Sequence, residues 1–174
     1  MRLVKPFVTT NTLRMTYYSY IHSAMTYGFL FWRNSPDSIK IFRLQKKNIR
    51  IMTGRRSTDS CGKLFISLEI LPLPFQYIFS LLFFFTIRNK NQLLINSEMH
   101  HIDTRQHANF HQPSVNMTKY KKAVYYIGVK VFNMLYSYIQ TEFDNPKKFK
   151  AVSQKFLYKN SFYSLDEFFE LQKI

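Results

Sequence analysis

An all-α fold is what the residues of this chain predict, and three observations carry that reading. Apolar residues make up 46% of the 174 positions, enough for a buried core, yet four glycines and six prolines leave few tight turns for a sandwich of many short strands. Successive segments repeat apolar side chains at helical spacing. Several of them open on residues that cap helices. The expectation is a compact bundle of about six or seven helices, with a polar loop between the middle and C-terminal helices and no internal repeat or low-complexity tract.

From Asn11 to Trp32, the residues Leu13, Tyr17, Tyr20, Ile21, Ala24 and Phe31 recur at helical spacing. Most other positions there are also apolar, so burial on more than one side is expected. Arg33-Asn34-Ser35-Pro36 breaks this helix and a basic one follows over 36–53. Ser35 suits its N-cap, Pro36 the first position, where a missing N–H has no partner to lose, and Asp37 the positive end of the helix dipole. At about 100° per residue, Lys40, Arg43, Lys46, Lys47 and Arg50 fall within roughly one third of the circumference, while Ile41, Phe42, Leu44, Ile49, Ile51 and Met52 take the other side. Gly54 is placed to end the helix as a left-handed cap, and Arg55 and Arg56 extend the positive surface beyond it.

Asp59 to Leu68 reads as a short helix, and Ile70-Leu71-Pro72-Leu73-Pro74 as an extended crossing enforced by alternating prolines. The most apolar run, 75–87, is the expected central core helix. At 1.5 Å per residue it spans about 20 Å against about 30 Å of bilayer hydrocarbon, too short to cross. The stretch from Arg88 to Thr118 is polar and lacks periodicity. Its His100, His101, His107 and His111 invite a metal reading, but no cysteine is near and Asp103 is the central carboxylate, so a surface loop that gains charge below neutral pH is the better expectation. Asn116-Met117-Thr118 matches a glycosylation acceptor that stays unmodified without a secretory route. Tyr120 to Tyr138 reads as a short extended entry followed by a helix over Ile127–Leu135. Asp144-Asn145-Pro146 then opens a helix with Phe149, Val152, Phe156 and Leu157 inward and Lys147, Lys148, Lys150 and Lys155 outward. Ser164 and Glu167 have capping-box spacing for a last helix carrying Leu165, Phe168 and Phe169. The implied organisation is a thumb-like helical region over 1–88, a polar loop over 89–118, and a C-terminal helical region over 119–174 on the same core.

Charge is concentrated at the two ends. The chain has 25 Lys and Arg against 10 Asp and Glu, a net charge of +15. Residues 1–56 hold eleven of the cations and a single acid, Asp37, whereas the middle is neutral. Such an excess calls for an acidic partner, and clustered, immobilised cations are what backbone-tracking nucleic-acid binding requires. A lone cysteine, Cys61, excludes an internal disulfide and fits a reducing compartment, where its expected role is packing. The start, Met1 to Pro6, lacks the apolar segment and cleavage site of a secretory signal, so an intracellular, cytoplasmic or nuclear location is expected.

Catalytic chemistry is hard to place here. The five aspartates, at 37, 59, 103, 144 and 166, are separated in sequence, and a two-metal phosphoryl-transfer site needs converging carboxylates. No glycine-rich phosphate loop, Gly-x-Ser-x-Gly elbow or His-Glu-x-x-His helix occurs.

Val4-Lys5-Pro6-Phe7, Tyr17-Tyr18-Ser19-Tyr20-Ile21-His22-Ser23, Met25-Thr26-Tyr27-Gly28 with Phe31-Trp32, and Leu44-Gln45-Lys46-Lys47 through Ile49-Arg50-Ile51-Met52-Thr53-Gly54 form an ordered set. Asp59-Ser60-Cys61, Leu71-Pro72-Leu73-Pro74, Tyr77-Ile78, Asn96-Ser97-Glu98, Asp103-Thr104-Arg105, Lys130-Val131-Phe132-Asn133 and Phe156-Leu157-Tyr158 continue it. Over almost the whole chain this series resembles the region after the catalytic palm in jockey-type non-LTR retrotransposon reverse transcriptases. The family commonly has glycine after the tryptophan and proline after the Phe-Asn-x-Leu segment, where this chain has Arg33 and Tyr136. The resemblance implies the thumb and C-terminal region of an RNA-directed DNA polymerase, encoded without the palm, its Tyr-x-Asp-Asp metal site or the upstream endonuclease. A non-catalytic fragment is therefore expected, with no cofactor of its own and Mg²⁺ belonging only to the missing palm. The implied partners are a template–primer duplex, gripped through its backbone by Lys40, Arg43, Lys46, Lys47, Arg50, Arg55 and Arg56, and the palm of an intact polymerase. Stable membrane insertion is not expected. The alternative is a helical interaction or membrane-surface module with no nucleic-acid role.

Overall fold

The computed structural model describes residues 1–33, 35–88, 93–100, 108–160 and 164–171. They are all-α, as the sequence predicts, with six α-helices of seven or more residues joined by shorter ones. The chain divides into two units, Met1–Tyr77 with Leu157–Tyr163, and Ile78–Phe156 with Ser164–Ile174. The dividing point between Tyr77 and Ile78 falls inside a helix.

In the first unit a 3₁₀ turn, Lys5–Phe7, precedes α1, Thr10–Thr16. Thr9 caps it: the Thr12 N–H donates to Thr9 Oγ1 at 3.3 Å. The helix widens into a π-turn over Tyr17–His22, resumes as α2, Ser23–Thr26, and breaks at Gly28, whose φ is +61°, before α3, Phe29–Trp32. Three expected core positions are corrected by this geometry, Ala24 being exposed as well as the two aromatic ones. The wide turn shifts the helical register, and the left-handed glycine ends it, so Tyr20 and Phe31 are exposed while Leu13, Tyr17 and Phe29 are buried.

The basic helix, α4, spans Ser38–Thr53. Its start also differs from expectation. Asp37 stands at the N-cap without capping, because its carboxylate accepts from Lys40 Nζ at 2.8 Å, and Ser35 contributes only a turn carbonyl to the Ser38 N–H. The far end is as read from the sequence. Gly54 has φ +71°, its N–H donates to the Ile51 carbonyl, and the Arg55 N–H reaches the Arg50 carbonyl at 2.9 Å, which together satisfy carbonyls the helix leaves open. A Cβ on Gly54 would also meet Lys5 Nζ at 2.7 Å. Gly54→Ala is accordingly expected to lose about 1–2 kcal/mol in urea denaturation, most of it the strain of an L-residue in the left-handed region.

Beyond α4 lie α5, Gly62–Ser67, and α6, Leu73–Arg88. The proline-rich crossing is shorter than expected, because Pro74 occupies the first turn of α6, where the missing N–H is tolerated. Glu69, just before it, holds φ at +51°, the one positive value among the described non-glycine residues. Its carbonyl accepts from the hydroxyls of Tyr18 at 2.8 Å and Tyr158 at 3.0 Å, and its carboxylate pairs with Arg14 at 2.6 Å. Leu13, Tyr17, Ile49, Met52, Cys61, Phe65, Leu68 and Ile70 form the core of this unit. Cys61 packs there as expected, and burial pushes its thiol up.

The second unit contains the end of α6, then α7, Asn96–His100, α8, Thr118–Lys121, and α9, Val124–Asn133. The β-branched entry to α9 is helical, not extended. Only Ala123 keeps an extended backbone, as N-cap, and burial of Val129, Val131 and Phe132 outweighs the strand preference of the segment. Next come α10, Ser137–Gln140, a 3₁₀ turn over Thr141–Asp144, α11, Pro146–Lys159, and α12, Leu165–Leu171. Both expected caps form: Asn145 Oδ1 accepts the Lys148 N–H at 3.2 Å, and Ser164 Oγ accepts the Glu167 N–H at 3.1 Å. Phe110, Phe132, Phe143 and Phe149 cluster with ring centroids 4.6–6.2 Å apart. The Asn133 amide fastens Phe110 by bonding both its N–H and its carbonyl.

The candidate core helix 75–87 lies within α6, where Phe75, Tyr77, Ile78, Leu81 and Leu82 are buried. No helix among the described residues is long and apolar enough to cross a membrane. His101, Asp103 and His107 lie outside the described residues. Among those described, no group of three or more His, Cys, Asp or Glu is placed to hold a metal ion.

Candidate nucleic-acid interface

The inner side of α4 is fixed by Ser38, Gln45, Ile49 and Met52, all buried, with Phe42 stacked on Phe65 at 6.4 Å. Gln45 is the anchor. At 1% exposure it uses both donors and its acceptor oxygen: Nε2 donates to Tyr17 Oη at 2.9 Å and the Leu71 carbonyl at 3.0 Å, while Oε1 accepts the Leu73 N–H at 2.8 Å. Sequence periodicity places Leu44 on this inner side; the structure exposes Leu44 and seats the glutamine inside. The inner stripe runs through 38, 42, 45, 49 and 52, and Leu44 flanks it.

Opposite that stripe the seven expected cations divide into three groups. Arg43 and Lys47 are exposed and sit one turn apart on the outer side. Arg55 and Arg56, also exposed, follow the cap, the Arg56 N–H donating to Asp59 Oδ2 at 3.1 Å. The remaining three have local tasks. Lys40 is paired with Asp37, Lys46 holds its ammonium 4.6 Å from the Phe42 ring centre, and Arg50 donates Nε to the Asp59 carbonyl at 2.8 Å. All seven stay on or beside the outer side of one helix, but only Arg43, Lys47, Arg55 and Arg56 are both exposed and turned to no such local task.

Lys5 is a cation that sequence reading overlooked. Its ammonium lies over Gly54, at the end of α4 where Arg55 and Arg56 begin. The helix dipole there favours positive charge, and the absence of a Cβ at Gly54 leaves the room. No local pattern links a lysine in the first turn of the chain to a helix end so far along it.

The surface offers a row of cations on a helix anchored from within, with Asp37 and Asp59 both engaged at its edges. Comparison with protein-family models, with curated proteins and with solved structures finds no match.

Proposed function

We propose that this chain is a non-catalytic nucleic-acid-binding fragment, the thumb and C-terminal part of a jockey-type reverse transcriptase, that holds a template–primer or RNA–DNA duplex by its sugar-phosphate backbone. The observation that carries the reading is the outer side of α4, where exposed Arg43 and Lys47 stand on a helix anchored from within by Gln45, with Arg55 and Arg56 beyond the cap. The anchored backbone fixes the spacing of these cations, and each phosphate neutralised releases counterions. Binding of this kind is tolerant of sequence and sensitive to salt. The motif series that resembles such polymerases supports the same reading. Polymer synthesis would reside in the palm, with its Mg²⁺; this chain carries no Tyr-x-Asp-Asp. The reading puts it inside the cell, in cytoplasm or nucleus.

The test is a titration with a labelled RNA–DNA duplex between 50 and 200 mM salt, comparing wild type with a variant carrying Ala at Arg43, Lys47, Arg55 and Arg56. The expected result is a salt slope shallower by about 3.6 and at least a tenfold weaker complex. Replacing Lys40 and Asp37 together by Ala should change little, because the exposed pair carries no net charge. Equal affinity and slope in the fourfold variant would overturn the assignment, and primer extension on an RNA template with Mg²⁺ would overturn its non-catalytic part.

A second reading, an interaction module, draws on a different observation. Leu3, Phe7, Tyr27 and Phe31 are 85–87% exposed, apolar surface of the kind a palm docking in trans, or a lipid surface, would cover. Liposome flotation that persists at high salt would favour the lipid form of it.

A further inference from the structure

The second unit carries an aromatic surface that the α4 reading does not use. Tyr136 and Tyr138 are 44% and 55% exposed, with ring planes within 15° of parallel and centroids 5.9 Å apart. Residues two apart in a continuous helix point in nearly opposite directions, so this arrangement needs a local cause. It is the extended backbone of Tyr136, ψ 143°, which stands just outside α10 and swings its ring alongside that of Tyr138. Tyr136 also packs against Phe156, the two rings T-shaped with centroids 5.5 Å apart.

Phe156 belongs to α11, whose exposed arc is rich in lysine and contains no carboxylate between Pro146 and Lys159. Lys155 precedes Phe156, and Lys148, seven residues back, shares the face of Lys155 about 10 Å away along the axis. Both lysines are exposed. The nearest acids in sequence, Glu142 and Asp144, sit before the N-terminal end of α11. The parallel tyrosines thus pack, through Phe156, against a helix whose exposed arc carries cations.

We infer that Tyr136 and Tyr138, with Lys148 and Lys155, form a platform for single-stranded nucleic acid, distinct from the duplex surface of α4 and independent of it. Parallel phenol rings offer π-faces to unpaired bases, which every base can use and which a duplex keeps hidden in its stack. The lysines supply the phosphate contacts that follow a strand across such a platform. An anionic lipid surface would satisfy the lysines equally well but has no use for ring planarity, and that difference selects the test.

Binding of a labelled ten-residue oligo(U) to the full chain is measured by anisotropy across a salt series. Tyr138→Ala is expected to weaken it about tenfold with an unchanged salt slope, and Tyr138→Phe to restore it, since stacking needs the ring and not the hydroxyl. Tyr138→Leu keeps apolar bulk without the ring and should behave like alanine. Gln at both Lys148 and Lys155 should lower the slope by about 1.4, leaving the tyrosine effect in place. Duplex affinity should be unchanged by the Tyr138 variants, and the α4 variant should retain the tyrosine effect on oligo(U), so failure of either surface is visible without the other. The inference is overturned if Tyr138→Ala binds oligo(U) like wild type, if Tyr138→Leu restores binding, or if duplex and single strand weaken together.

Discussion

Replacing Gln45 by leucine is expected to lower the stability of the protein by about 4 kcal/mol, although leucine is close in volume and more apolar. The reason lies in what the amide leaves behind. Its removal strands the Leu73 N–H, the Leu71 carbonyl and one contact of the Tyr17 hydroxyl in a region closed to water, and each buried unsatisfied group costs about 1–3 kcal/mol. Thermal melting should fall by about 12 °C for a chain of this size. Leu44→Gln, one residue away on the exposed flank, should change stability by less than about 0.5 kcal/mol. A double-mutant cycle with Tyr17→Phe isolates the Tyr17 share, which should be the smaller part, because Gln45 would still hold Leu71 and Leu73. A Gln45→Leu protein as stable as wild type would show that α4 is not anchored in this way.

The second large effect concerns alkaline pH. Tyr17 is 0% exposed, and burial pushes its phenol up from 10 to about 12 despite the hydrogen bond from Gln45. The folded state therefore keeps the proton over a range where the unfolded chain releases it. Stability contributed by this group is complete below pH 10 and is lost as pH rises from 10 towards 12, by about 1.4 kcal/mol per unit and about 3 kcal/mol in all. Tyr18 is shifted in the same direction, mainly by burial and also by Tyr158, and adds to the decline. Denaturant titrations at intervals from pH 9 to 12 should give wild type a steeper loss than Tyr17→Phe, the two curves converging as pH rises. Lysine deprotonation is common to both proteins and cancels in the difference. Parallel curves would mean that the Tyr17 hydroxyl ionises as readily in the fold as outside it.

Much of this architecture is legible from short-range chemistry. Asn145 before Pro146, Ser164 three residues before Glu167, and Gly54 at the end of an amphipathic pattern each announce a helix boundary, because a cap is a contact between residues a turn apart. What escaped the sequence depends on partners far along the chain. Gln45 is polar, and nothing near it signals that Tyr17, Leu71 and Leu73 wait to receive it. The π-turn at Tyr17–His22 is invisible to a search at 3.6 residues per turn, and it is what turns Tyr20 outward. At the α4 surface, the outer-side placement of the cations was readable from periodicity. Their division was only partly so: the Asp37 to Lys40 spacing signals pairing, whereas Arg50 reaching the Asp59 carbonyl and Lys5 covering Gly54 are products of tertiary folding.

Glu69 shows how a strained peptide unit becomes a constraint on evolution. Glycine would adopt a φ of +51° freely, yet a residue there without a carboxylate would release Arg14, whose guanidinium that hydrogen bond pushes further up from its already high value. The backbone favours one amino acid and the ion pair favours another, so the two demands are best met by changing both ends together. Across divergent copies of this sequence, sites 14 and 69 should drift as a linked pair, a long-distance covariation written by the geometry of one turn.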